Sequence, residues 1–463
     1  MHKKIKKEIV YGLRPNEYST DKKLIKNYCI DWRGDFEGTS DLILFPNSVK
    51  KVSRIVKICN KNSIPIVPQG GNTSLVGGSV PRKNKGEVIL NLSKLNKIRK
   101  INLIDNTITL ESGCILENIK KELENSNMVF PLSMGSKGTC QIGGNIATNA
   151  GGVNVVKYGS LRSNVLGLEI ISYSGEVISE LNDIKKNNTG LDLKQLFIGS
   201  EGILGVITAA TIKIFNKPKE RNVLWVALEN FKKTLKLFSL ITKIFNDQIT
   251  SFEIMNKKSI SIIENTKFKF KKQKYEYFCL VEISNFQGIK GFENYIIEKL
   301  ADINSSRIDM IMTKSESENQ EIWGIRESIP IEEKKQGYII KHDISIPLER
   351  MEEFILNTES EIKKYDAKAE IINFGHLGDN NLHYNVMIKD PKKIKTKKTE
   401  KYINEIIFNN VIKCNGSISA EHGIGQLRKK DLLRFKGRTE IKKMQLIKNA
   451  FDPNNIFNPG KVF

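Results

Sequence analysis

Pro68-Gln69-Gly70-Gly71-Asn72-Thr73-Ser74-Leu75-Val76-Gly77-Gly78-Ser79 follows directly on the apolar run Ile64 to Val67, which reads as a strand. Backbone that leaves a strand into paired glycines and small hydroxyl residues can aim successive N–H groups at a phosphate. A second segment, Pro131 to Gly152 (PLSMGSKGTCQIGGNIATNAGG), is loop-like and almost stripped of large side chains, as if a flat ligand lay against its backbone. A third, Gly199-Ser200-Glu201-Gly202-Ile203-Leu204-Gly205, leads into the β-branched strand Val206-Ile207-Thr208. Of the chain's 33 glycines, 19 fall between Gly70 and Gly205, under a third of the sequence, so this density is local. Two such loops suit one large cofactor. Neither matches G-x-G-x-x-G or G-x-x-x-x-G-K-[ST], so the Rossmann and P-loop modes of binding NAD and ATP are not indicated.

Outward from these loops the first half alternates element types. Leu42 to Phe45, Glu87 to Leu92 and Thr107 to Glu111 read as strands, Leu116 to Leu123 as a helix. Ser48 can cap a helix whose apolar positions Val49, Val52, Ile55, Val56 and Cys59 repeat at helical spacing. Glycine thins out near Asn216-Lys217-Pro218-Lys219, which sets a domain boundary. Three regions are expected: residues 1–218, a second domain over 219–409, and a segment 410–463 that returns to the first domain. In the second, strands alternate with amphipathic helices such as Leu348 to Ile362, predicting an α+β domain on a largely antiparallel sheet.

At 463 residues, 39% hydrophobic and 27% charged, the chain can bury sizeable cores and is not disordered. Its net charge of +22 is carried mostly by lysines spread along the whole sequence. A nucleic-acid partner is therefore not expected, because that requires a clustered basic face with stacking aromatics. The six cysteines form no C-x-x-C pair, which fits a reducing compartment. The basic start, Met1 to Lys7, has no apolar region after it, and no stretch approaches 18 uninterrupted apolar residues. A cytoplasmic location is expected.

Three of only five histidines sit in glycine-bearing motifs. In Phe374-Gly375-His376-Leu377-Gly378-Asp379-Asn380-Asn381-Leu382-His383-Tyr384-Asn385, residues Gly378 to Asn381 suggest a four-residue hairpin loop. That register sets His376 directly opposite His383, with Asn385 on the same face by the strand period of two. Two imidazoles so placed can chelate one ion, or can be satisfied structural histidines. The stretch Ser417-Ile418-Ser419-Ala420-Glu421-His422-Gly423-Ile424-Gly425 adds a carboxylate and an imidazole in a small-residue turn. Two His and one Glu make a recognised catalytic zinc set with an open position.

Six segments in order, Pro68 to Pro81, Gly138 to Gly159, Asn188 to Thr208, Phe374 to Val386, Gly416 to Gly425 and Phe451 to Val462, make the chain resemble the flavoproteins of the vanillyl-alcohol oxidase or PCMH-type class. Within that class it is similar to the D-2-hydroxyacid dehydrogenases. The resemblance implies a PCMH-type FAD-binding domain of two α/β subdomains, a substrate (cap) domain, and a C-terminal segment completing the active site. It implies noncovalent FAD, with the pyrophosphate along Gly70 to Ser74. The expected contacts are Pro68, Gly70, Gly71, Asn72, Thr73, Ser74 and Ser79, then Pro131, Gly135, Thr139, Gly143, Gly144, Asn145, Thr148, Gly151, Gly152 and Tyr158, and finally Glu201, Gly202, Ile207 and Asn458. Some relatives tether the flavin through a His in the first loop, where this chain has Asn72.

The resemblance further makes His376, His383 and Glu421 ligands of a divalent metal, zinc by its donor set, and His422 the catalytic base. Arg326, Lys341, Asn385 and His422 are the implied substrate contacts, in keeping with the need for fixed cations opposite carboxylates. Where relatives carry a substrate-contacting Thr four residues after the Arg, this chain has Pro330, a departure at the substrate's far end. The implied reaction oxidises a D-2-hydroxyacid to the 2-oxoacid by hydride transfer to flavin N5 with metal assistance. D-2-hydroxyglutarate is the first substrate expected, with D-lactate or glycolate as the alternative. The expected partners are an electron acceptor (flavoprotein, quinone or cytochrome) and a second copy in a homodimer, with room for a peripheral contact at the inner membrane. A synthase on the same scaffold, such as an alkyl-glycerone-phosphate synthase, would use a histidine cluster not found here.

Overall fold

The computed structural model describes residues 2–263, 268, 274–304, 309–390, 392, 394 and 396–463. The chain divides into two compact units. Unit 1 comprises Met1–Gly151, Gly159–Asn216 and Glu421–Phe463, and unit 2 comprises Gly152–Tyr158 and Lys217–Ala420. The breaks at 216/217 and 420/421 lie two residues before and eleven residues after the boundaries expected from composition. The helix Lys397–Lys413 runs through residues 409 and 410, so the chain has no joint there.

Unit 1 holds two main sheets. The first is four-stranded, in the order Tyr18–Ser19, Ile43–Leu44, Val88–Asn91, Ile66–Gln69, with the last three strands parallel. Its apolar face is closed by the helix Val49–Lys61, which buries Val52, Ile55, Val56 and Cys59 as the helical spacing requires. Ser48 caps that helix by accepting a hydrogen bond from Lys51 N. The C-terminal segment contributes Ile456 and Phe457 to the same core, and Phe457 bridges to Ile66. The second sheet is antiparallel, in the order Ile98–Asn102, Thr107–Glu111, Val206–Lys213, Val165–Ile171, Val177–Ser179. Its core includes Leu116, Ile119 and Leu123 of the helix Leu116–Glu124.

One expectation is corrected here. The glycine-rich stretch 131–152 is not loop throughout, because Ile142–Ala147 forms a short helix. The third glycine segment leads into the strand Val206–Lys213, and Glu201 sits in the turn before it with φ +52°.

Unit 2 is built on an eight-stranded, wholly antiparallel sheet. The central order is Glu220–Leu228, Tyr277–Asn285, Ile249–Asn256, Glu370–His376, Asn381–Met387. Both faces are buried. On one, Ile322, Ile325 and Ile329 of the helix Glu316–Lys335 pack on Trp225, Ile372, Phe374 and Met387. On the other, Phe238 and Phe354, from the helices Phe231–Phe245 and Leu348–Tyr365, stack edge-on against Phe252 and Tyr384. No helix among the described residues is long and apolar enough to cross a membrane.

Candidate active site

The hairpin register differs from the expected one. His383 stands opposite Phe374, Asn385 opposite Ile372, and Leu377–Asp379 forms a 3-10 turn closed by Asn380 at φ +70°. The loop is four residues long as expected, but it is residues 377–380 rather than 378–381, so the residue paired with His383 moves along the first strand from His376 to Phe374. His376 and His383 are therefore diagonal rather than direct partners, still on one face, with ring centroids 5.6 Å apart and nearly perpendicular.

Each imidazole is backed by a carboxylate that motif reading did not pick out. Glu253, opposite His376 on the neighbouring strand, accepts a 2.6 Å hydrogen bond from His376 Nδ1. Because a carboxylate only accepts, this bond fixes the tautomer in which Nε2 carries the lone pair. Asp343, opposite His383, has its Oδ1 3.7 Å from His383 Nδ1. A carboxylate hydrogen-bonded behind the ring, as at His376, is the usual outer support of metal-binding histidines, so this imidazole pair fits a divalent ion. Glu253 also takes the Nε of Arg326 at 2.7 Å. Burial pushes the Glu253 carboxyl up, but His376 and Arg326 outweigh it and hold the group below its ordinary range.

Three of the substrate contacts implied by resemblance, Arg326, Lys341 and Asn385, lie along this same face. Arg326 is buried, with its guanidinium 4.7 Å from the centre of the Phe374 ring. Asn385 donates to Glu333 Oε2 at 2.8 Å and accepts from His342 N. Lys341 is ion-paired with Glu333, whose side chain is 1% exposed. Glu333 thus holds two of the expected contacts, and nothing in its sequence context, IPIEEKK, marks it out. A more legible signal was available for Glu253, a lone acid inside the apolar strand ITSFEIMN.

In unit 1, Gly70, Gly71 and Asn72 line a cavity of about 560 Å³ together with Tyr28, Asp31, Trp32, Asn91, Ser93 and Gln141, among others. That volume is typical of small-molecule sites. Gly71 is required by close approach, since a Cβ there would stand 2.0 Å from Thr139 O. The Asn72 amide holds the loop itself, donating to Ile30 O at 2.8 Å and accepting from Ser79 Oγ at 2.7 Å. Ser74 Oγ accepts from the N–H groups of Val76 and Gly78. Pro68 lies on the strand Ile66–Gln69, against Gly202. Thr73 follows in the loop, and Pro131, Gly135, Thr139, Gly143, Gly144, Asn145, Thr148, Gly151 and Ile207 occupy the second and third segments of this unit. Ser112 Oγ, Gln141 Oε1, Asn145 Oδ1 and Asn458 Oδ1 are buried with no hydrogen-bond partner among the described residues. A cavity walled by glycine backbone, with unsatisfied polar atoms around the same segments, fits a polar ligand such as FAD. Gly152 and Tyr158 instead belong to unit 2, where burial, then Glu282, pushes the Tyr158 phenol up to about 12.

Glu421 and His422 open the last segment of unit 1. The turn behind them is pinned by Glu201, whose carboxylate accepts from the N–H groups of Ile424 and Gly425, both at 2.7 Å. Gly423, at φ +81°, leaves room for that carboxylate; a Cβ would come within 2.8 Å of Glu201 Cδ. Asn458 Nδ2 ties the turn's other side, donating to Glu201 O and Gly78 O.

Residues 40–180 match the FAD binding domain family, and residues 217–462 match the FAD linked oxidases, C-terminal domain. The chain is 35% identical over 444 residues to a D-2-hydroxyglutarate–pyruvate transhydrogenase of Saccharomyces cerevisiae, covering 93% of this chain and 88% of the relative. It is 34% identical to the mitochondrial D-2-hydroxyglutarate dehydrogenase of Danio rerio, covering 97% and 84%. A Schizosaccharomyces pombe protein bearing a mitochondrial D-lactate dehydrogenase name is 35% identical, covering 96% and 85%. Among solved structures, p-cresol methylhydroxylase with substrate bound matches with a TM-score of 0.76 at 15% identity, covering 99% of this chain and 96% of that one. An alkyldihydroxyacetonephosphate synthase matches at 0.75 and 17%, covering 99% and 85%, a likeness of fold alone. The chain belongs to the FAD-linked oxidases, with a PCMH-type α+β fold, and within them to the FAD-dependent D-2-hydroxyacid dehydrogenases.

Proposed function

We propose that this enzyme oxidises a D-2-hydroxyacid at a site in which His376, His383 and Glu421 hold one divalent ion, zinc by its donor set, and His422 takes the hydroxyl proton. When bound, FAD supplies the two-electron acceptor for the C2 hydride and the ion supplies Lewis acidity. The single observation carrying the metal role is the pair of perpendicular imidazoles on one sheet face, each backed at Nδ1 by a carboxylate. Chain connectivity supports Glu421 as the third ligand. Asp343 stands opposite His383, and Ala420 N donates to Asp343 O, so Glu421 follows one peptide later. His422 is next in sequence, and Nδ1 or Nε2 of its imidazole would hold the proton between hydroxyl and solvent. Arg326 and Asn385 would orient the substrate, and Gly70 to Ser74 with Asn458 would hold the noncovalent FAD.

The reoxidant is a flavoprotein, quinone or cytochrome carrier, with a second 2-oxoacid as a further candidate because one relative is named a pyruvate transhydrogenase. A homodimer goes with the same proposal. The test is elemental analysis with anaerobic flavin reduction. His376→Ala and His383→Ala should lose stoichiometric metal and slow reduction by at least about a thousandfold while retaining FAD. His422→Ala should keep both metal and FAD and lose reduction. Full metal content in both ligand variants would remove the hairpin from the role.

A further inference from the structure

Resting on the dehydrogenase reading above, we infer that Glu333 is a specificity residue, and that the substrate is a D-2-hydroxymonocarboxylate with a short uncharged side chain rather than a diacid. The helix Glu316–Lys335 lays Arg326 and Glu333 two turns apart, on one side, over the sheet face that carries His376, His383 and Asn385. Both cations available on this face to a second substrate carboxylate are already engaged. Arg326 is held through Nε by Glu253, and Lys341 is held by Glu333. Asn385, the neutral donor between them, also spends its amide N–H on Glu333.

Charge decides the consequence. Among the described residues, Glu253 and Glu333 are the carboxylates that hold Arg326 and Lys341, and Asp343 lies beside them near His383. A second carboxylate on the substrate would have to share Lys341 with Glu333. Glu333 is 1% exposed, so a further negative charge would be added beside a buried carboxylate whose counter-ion is then divided. Pro330 stands between Arg326 and Glu333 on the same helix and offers neither a hydroxyl nor an N–H in compensation. A methyl or ethyl side chain asks for none of these groups. It leaves the Glu333–Lys341 pair intact and meets the apolar surface of Phe374.

The experiment is an anaerobic flavin-reduction panel on the holoenzyme with D-lactate, D-2-hydroxybutyrate, D-malate and D-2-hydroxyglutarate. It is paired with titration of 2-oxobutyrate and 2-oxoglutarate into the oxidised protein, followed by flavin absorbance. The monoacids should reduce the flavin with kcat/KM at least about tenfold above the diacids, and 2-oxobutyrate should bind tighter than 2-oxoglutarate. Glu333→Gln keeps the shape and frees Lys341, and should shrink that preference by about tenfold or more, chiefly by lowering KM for the diacids. Equal rates or a diacid preference in the unaltered enzyme would overturn the inference, as would E333Q lowering all four substrates alike. The unaltered enzyme decides the matter even if E333Q does not fold. Reduction by none of the four would overturn the dehydrogenase reading and this inference together, a result distinct from a reversed order.

Discussion

Glu253 in unit 2 and Glu201 in unit 1 are both buried carboxylates, and they end on opposite sides of their ordinary range. Glu253 is held down because a guanidinium and an imidazole each touch one of its oxygens. Glu201 has two backbone N–H groups and, among the described residues, no cation, so burial prevails and lifts it to about 7. Burial is common to both; the counter-charge sets the outcome. In unit 2 the buried acids organise other side chains. In unit 1 Glu201 organises backbone, the turn that follows Glu421 and His422.

That contrast can be broken by substitution, most forcibly at Glu253. Glu253→Ala strips the partner from Arg326 and His376 together, and should destabilise the protein by about 3–5 kcal/mol, measured by denaturant unfolding. A loss under about 1 kcal/mol would show that the face does not depend on this carboxylate.

The second substitution turns on pH. The folded pKa of Glu201 is raised, so the native state binds its proton more tightly than the unfolded state does. The associated stability is fully present below the ordinary value of 4.5 and lost as pH rises through about 7. Across that window the loss amounts to about 3 kcal/mol. Glu201→Gln should flatten this part of the stability profile, and a profile of unchanged slope in E201Q would assign the pH dependence elsewhere.

The smallest effect is expected at Lys461. Its side chain is fully buried, with Nζ 3.8 Å from Glu87 and no hydrogen-bond partner among the described residues. Burial lowers its pKa to about 8, Glu87 opposing and Arg82 and Lys429 assisting. Arg82 already neutralises Glu87 through two 2.5 Å hydrogen bonds. Lys461→Met should therefore change stability by less than about 1 kcal/mol; a melting temperature lowered by more than about 5 °C would show the cation to be needed.

Much of this was legible in the sequence, for reasons that differ by element. The helix Val49–Lys61 stands where periodicity placed it because its burial is periodic, whereas the strand Thr107–Glu111 is buried along its whole length and is legible from its β-branched residues. The glycine segments were legible as places of close backbone approach, as Gly71 against Thr139 O shows. The histidine hairpin had the right face and the wrong register. Its four-residue loop begins one residue earlier than expected, at Leu377, and is closed by Asn380 at positive φ, a placement the run Gly378-Asp379-Asn380-Asn381 leaves open in sequence. Glu333 and Asp343 were invisible, since their importance lies in partners supplied by other elements. The assignment of Gly152–Tyr158 to unit 2 has no mark in composition.

The bridge between Ile66 and Phe457 has a consequence for biosynthesis. Ile66–Gln69 is the terminal strand of its sheet, and the residues that cover its outer side are translated almost 400 residues after it. At ribosomal speeds of about 5–20 residues per second, roughly 12–50 s separate the emergence of Asn216 from that of Phe457. Throughout that interval the strand leading into Gly70 has an open edge, while the whole of Lys217–Ala420 has been made. A nonsense codon between the triplets for Ala420 and Ile456 would thus leave a finished second unit attached to a first that can never close.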